Sequence, residues 1–146
     1  MKDLKNFWKT NHKNPTFKHL KVYLLRNLPK AGIGLFHRSG FYPDFIMWLR
    51  NLKTGAVHVR FIDPHGLHHG GLSGSADKFA ALSKLKEFSE LPDFKSKKIS
   101  LDGFTLADTS IEQIPDAKDR SWADLEKEYP LIRRINDYCE RLFTVA

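Results

Sequence analysis

An α/β domain, with a small mixed central sheet of about four strands flanked by helices, is what this sequence predicts. Three observations carry the expectation. Apolar spacing alternates along the chain between helical and strand periods. Two strand-like runs near the middle are joined by a tight turn. The chain's 146 residues, 41% of them hydrophobic, can bury one core and leave little room for a second domain.

Residues 1–14 read as a helical or flexible extension of a single domain spanning 1–146. Behind Pro15-Thr16, the apolar residues Phe17, Leu20, Leu24, Leu25 and Leu28 recur at helical spacing, and Pro29 and Gly32 end that helix. Ile33 to Phe36 reads as a short strand flanked by glycines. Asp44 to Arg50 and Ala56 to Asp63 read as better strands, with Leu52-Lys53-Thr54-Gly55 as the hairpin turn. Pro64 to Ser75 is a loop dense in Gly and His.

Ser75-Ala76-Asp77-Lys78 opens a second helix with Phe79, Leu82, Leu85 and Phe88 on one face, closed by Pro92. A fourth strand alternates through Ile99, Leu101 and Phe104 and ends near Asp108. Ser121-Trp122-Ala123-Asp124 resembles a capping box, with Asp in the position usual for Glu, and opens a terminal helical region to about Leu142 that is broken or kinked at Pro130.

Lys and Arg outnumber Asp and Glu by 24 to 17, a formal charge of +7. The excess is concentrated in residues 1–40, whose single acid is Asp3. Such a surface favours polyanions through counterion release, without separating DNA from RNA or an anionic membrane. One cysteine, Cys139, excludes an intramolecular disulfide. With no apolar run near the roughly 20 residues of a bilayer span and no signal-peptide stretch, a cytoplasmic protein without a membrane partner is expected.

The hairpin makes a sharper statement. If residues 52–55 set its register, Arg50 faces Val57, Trp48 faces Val59 and Ile46 faces Phe61. The next pair on that surface is Asp44 opposite Asp63. Directly opposed carboxylates repel. A divalent cation would offset the repulsion, and Mg²⁺ is characteristically held by one or two carboxylates completed by water and phosphate. His65 would share their face if the strand continues. Equally, Asp44 after Tyr42-Pro43 and Asp63 before Pro64 could be ordinary turn residues, and a one-residue slip would put them on opposite faces.

Phe41-Tyr42-Pro43-Asp44-Phe45-Ile46, the hairpin, and Phe61-Ile62-Asp63-Pro64-His65-Gly66 resemble the core of the PD-(D/E)XK nucleases. More narrowly, Tyr23-Leu24-Leu25-Arg26-Asn27, Gly32-Ile33-Gly34-Leu35-Phe36 and Gly40-Phe41-Tyr42-Pro43-Asp44-Phe45 resemble the nuclease-like domains C-terminal to type III restriction-type superfamily 2 helicases. The likeness covers about residues 16–143. It implies the restriction-endonuclease-like fold, DNA as substrate, Mg²⁺ (or Mn²⁺) as cofactor and a helicase domain or subunit as partner. Asp44, Asp63 and the main-chain carbonyl of Pro64 would hold the metal. His65 stands where the family has lysine, and could act as a general base without offering a fixed positive charge. The family's helical Glu has no counterpart in residues 1–40, where His19 is the nearest polar candidate. The resemblance therefore leaves two outcomes open: a metal-dependent endonuclease, and a degenerate module that binds DNA or a helicase without cutting.

Lys18, Lys21, Arg38, Tyr42 and His68 are the expected nucleic-acid contacts, through charge or stacking. Histidines 65, 68 and 69 lack the ligand spacing of a zinc site. Ser39, Ser73 and Cys139 show no base-and-orienter arrangement, so a nucleophilic-triad hydrolase is not expected.

Overall fold

The computed structural model describes residues 2–35 and 40–145. Helix α1 (Lys2–Asn11) leads into β1 (Leu20–Arg26), β2 (Phe45–Asn51) and β3 (Val57–Pro64). Helices α2 (Ala76–Ser89) and α3 (Pro92–Ser96) precede β4 (Ile99–Ala107), and α4 (Trp122–Glu128), β5 (Leu131–Arg133) and α5 (Tyr138–Phe143) complete the chain. The strands lie in the order β1-β2-β3-β4-β5, the first three as an antiparallel meander and β4 and β5 added in parallel. The parallel step needs a crossover, and α2 supplies it.

Alternation divides the sheet into two faces. Met47, Leu49, Ile62, Leu106 and Ile132 pack on one face against Leu4 of α1 and Leu142 and Phe143 of α5. Ile46 and Phe61 pack on the other against Leu82 and Leu85 of α2. A third cluster, including Leu67, Phe79, Trp122, Leu125 and Leu131, closes the end where the Gly-rich loop leaves β3. Gly103 lets α2 sit close: a Cβ there would stand 2.6 Å from Leu82 Cδ2 and 3.0 Å from Leu85 Cδ1. That close approach brings the start of α2 over the end of β3.

The hairpin is as the sequence predicts, with Arg50, Trp48 and Ile46 facing Val57, Val59 and Phe61. Gly55 turns the chain at φ +74°, a conformation costly for residues with a Cβ. The second helix, the fourth strand and the Ser121–Asp124 capping box are also in place.

Four expectations are corrected. The helix expected from Phe17 to Leu28 is mostly strand β1. Its leucines have helical spacing, but β2 buries Ile46, Met47 and Leu49 on both faces and must satisfy its outer backbone edge, which β1 does over seven residue pairs. The leading helix is instead α1, within the expected extension. The expected strand Ile33–Phe36 reduces to one bridge, Leu35 with Phe41, Phe36 itself lying outside the described residues. The terminal helical region is interrupted by β5, because Pro130 removes a helical N–H and Leu131-Ile132-Arg133 finds the open edge of β4. The sheet thus has five strands. Lastly, Phe88 is 47% exposed beyond the end of the buried stripe, and Pro92 begins α3.

Candidate active site

Where β2 begins and β3 ends, the registered pairs stop at Phe45 with Ile62; one step further along the same diagonal come Asp44 and Asp63. Asp63 is buried at 5% exposure, and Asp44 is half-buried. Burial pushes the Asp63 carboxyl above the usual carboxylate range, and the charge of Asp44 adds to the rise. The opposed pair inferred from the hairpin therefore shares one electrostatic field.

Asn27 sets the position of Asp44. Buried at 4% exposure, it donates from Nδ2 to the carbonyls of Ile33 (2.7 Å) and Pro43 (2.9 Å) and accepts from the Ile33 N–H (2.9 Å). Its own N–H donates to the Asp44 carbonyl at 2.8 Å. The Asn27 and Gly32-Ile33 segments of the family resemblance thus converge on the backbone that carries the first acid.

The residue that the sequence reading missed is Lys78. Its Nζ donates to Asp63 Oδ2 at 2.6 Å and lies 5.1 Å from the centre of the Phe41 ring. Lys78 begins the stripe 78, 82, 85 on α2, so the packing of Leu82 and Leu85 on the sheet points it at Asp63. The signal was present, as a lysine four residues before a core leucine. Recognising it required knowing which strand end α2 crosses.

His65 continues the ladder beyond β3, its N–H donating to the Leu106 carbonyl at 2.9 Å. The side chain is exposed, yet partial desolvation and the charge of Lys78 hold its pKa below the ordinary histidine value, outweighing both carboxylates. It is therefore mainly a neutral base at pH 7.

The donor set suits a hard cation. Continuing the register sets Pro43 opposite Pro64 at a position where two residues ordinarily exchange N–H···O bonds. Neither has an N–H, so the Pro64 carbonyl receives no ladder donor from Pro43. Beside Asp63, on the same face of β4, Thr105 is wholly buried and its Oγ1 has no hydrogen-bond partner among the described residues. Two carboxylates, an undersupplied carbonyl and an orphaned hydroxyl fit Mg²⁺, which prefers oxygen and needs few protein ligands. Among the described residues, no group of three or more His, Cys, Asp or Glu is placed to hold a metal.

Of the expected nucleic-acid contacts, Tyr42 adjoins Pro43-Asp44, and the charge of His68 acts on His65. Lys18 and Lys21 are exposed at the opposite end of β1, Lys21 facing Arg50 and so lying roughly 20 Å along the strand from the acids. Arg38 lies outside the described residues. His19 precedes β1 and is not on a helix.

No protein-family model matches the chain, and neither the curated proteins nor the solved structures give a significant match. Among the described residues, no helix is long and apolar enough to cross a membrane.

Proposed function

We propose that the chain is a PD-(D/E)XK-type nuclease domain that hydrolyses DNA phosphodiester bonds with Mg²⁺ or Mn²⁺. The observation that carries the reading is the convergence of Asp63, Asp44 and His65 with Lys78 at 2.6 Å from Asp63. The helix, three-stranded meander, crossover helix and parallel strand support it further. Asp44, Asp63 and the Pro64 carbonyl would hold the metal, which when bound polarises the scissile phosphate and lowers the pKa of attacking water. His65 accepts a proton from that water. Lys78 supplies the fixed positive charge that a neutral His65 does not. A helicase domain or subunit, within a restriction or defence system, is the partner class that the resemblance suggests.

A second reading is a nuclease-fold module that binds DNA or a helicase without cutting. It is favoured by the Asp63–Lys78 bond itself, which neutralises a carboxylate that the metal needs. Cleavage of single-stranded, duplex and supercoiled DNA with Mg²⁺ or Mn²⁺ separates the two. The active reading expects cutting that Asp44→Ala, Asp63→Ala and Lys78→Met each reduce on the order of a hundredfold or more. Cutting that survives both aspartate changes would sink the site. Cutting only by His65→Lys would establish the degenerate module.

A further inference from the structure

The other face of the sheet carries a polar assembly that the nuclease reading leaves unused. There β3 and β4 set His58 beside Ser100 and Arg60 beside Asp102. Ser100 Oγ lies 2.6 Å from His58 Nδ1, and His58 Nε2 lies 2.9 Å from Asp102 Oδ1. An ionised carboxylate only accepts hydrogen bonds, so the 2.9 Å contact with Asp102, shorter than the 3.4 Å contact with Arg60 Nη2, assigns the proton to Nε2 and leaves Nδ1 of the neutral ring as the acceptor facing the Ser100 hydroxyl. Arg60 keeps Asp102 ionised through two 2.7 Å bonds, Nε to Oδ1 and Nη2 to Oδ2.

Arg60 and Asp102 have an evident structural task. Arg60 Nη1 also donates to the carbonyls of Arg141, Leu142 and Thr144, fastening the end of α5 to the sheet. That task needs neither His58 nor Ser100. These two line both of a pair of adjoining cavities. One, of about 740 Å³, has Lys86 and Glu140 in its wall; the other, of about 330 Å³, is walled by Phe17, Leu20, Leu49 and Phe143. A half-buried hydroxyl thus opens onto two cavities, and Asp, Glu, Lys and Arg side chains stand only in the wall of the larger.

We propose that Ser100, His58 and Asp102 form a nucleophilic triad for carboxylic esters, with a short apolar acyl chain in the smaller cavity and the alcohol in the larger. Ser100 Oγ bonds to the ester carbonyl carbon while His58 Nδ1 takes the hydroxyl proton. The adduct collapses, the bond to the alcohol oxygen breaks, and Nδ1 returns that proton to the leaving oxygen. Water, giving a proton to Nδ1, then attacks acyl-Ser100; the carboxylic acid leaves and the serine hydroxyl is restored. Asp102 orients the ring and stabilises the imidazolium. Because Asp102 already carries two bonds from Arg60, turnover is expected to be slow. Covalent capture is therefore the sharper readout.

The test treats the full chain with a fluorophosphonate probe in EDTA, which keeps the result independent of metal and DNA. Peptide mapping by mass spectrometry is expected to place one label on Ser100. Ser100→Ala abolishes that label, and His58→Gln slows it on the order of a hundredfold. Hydrolysis of p-nitrophenyl butyrate follows the same ranking. No label on Ser100 of the folded wild type overturns the triad, as does equal labelling of folded His58→Gln. If His58→Gln does not fold, Ser100→Cys carries the test: its thiol is expected to react with iodoacetamide at pH 7 faster than free cysteine, and an equal or slower rate overturns the proposal.

Discussion

The two faces of the sheet each bury an aspartate beside a cation, and the outcomes are opposite. Asp102 meets a guanidinium through two bonds and an imidazole through a third, so its carboxyl lies below the usual range although it is buried. Asp63 meets one ammonium through one oxygen, with a second carboxylate nearby, and its carboxyl lies above the usual range. Desolvation opposes both charges; only the first is fully compensated. A compensated buried charge stays ionised, and here it holds Arg60 for α5 and, in the proposed triad, orients His58. An undercompensated one is held at a cost in stability, which is where functional sites are characteristically found.

The largest expected effect is on the compensated face. Asp102→Asn leaves the Arg60 charge without its partner and is expected to lower stability by about 3–5 kcal/mol at neutral pH in urea denaturation. Replacing both, Arg60→Met with Asp102→Leu, should recover most of it. Because the Asp102 pKa is depressed on folding, its contribution is present above the ordinary carboxylate pKa and lost as pH falls through the folded value. The penalty of Asp102→Asn should therefore shrink in acid; a penalty independent of pH would break the contrast.

Lys78→Met is expected to cost less, about 1–2 kcal/mol, since Asp63 can take up a proton once its cation is gone. Gly55→Ala, at φ +74° with nothing near the added methyl, should cost about 1–2 kcal/mol from backbone strain alone. Asp63→Asn is the smallest and has the opposite sign. A raised folded pKa gives stability below the ordinary carboxylate pKa that is lost as pH rises through the folded value. The amide should thus leave the protein equally or slightly more stable at neutral pH, by under about 1 kcal/mol, while removing any DNA cleavage. A thermal midpoint that falls as far as that of Asp102→Asn would show the two faces to be alike.

The hairpin is legible in the chain alone, because a four-residue turn and a period of two leave one register that buries Ile46 and Phe61 together. From that register followed the meeting of Asp44 and Asp63. Local chemistry also fixed the Ser121–Asp124 cap and the start of α2. Packing between distant elements settled the rest. Leu20–Arg26 is a strand because β2 needed an outer neighbour, and Leu131–Arg133 is one because β4 offered an open edge; neither demand is visible in the segments themselves. The same holds for Lys78 and for the Ser100–His58–Asp102 chain. Lys78 lies 15 residues from Asp63, and Ser100 lies 42 from His58. These pairs meet because α2 crosses on Gly103 and because β4 adds in parallel beside β3. Spacing along a chain cannot encode a contact that packing between distant elements creates.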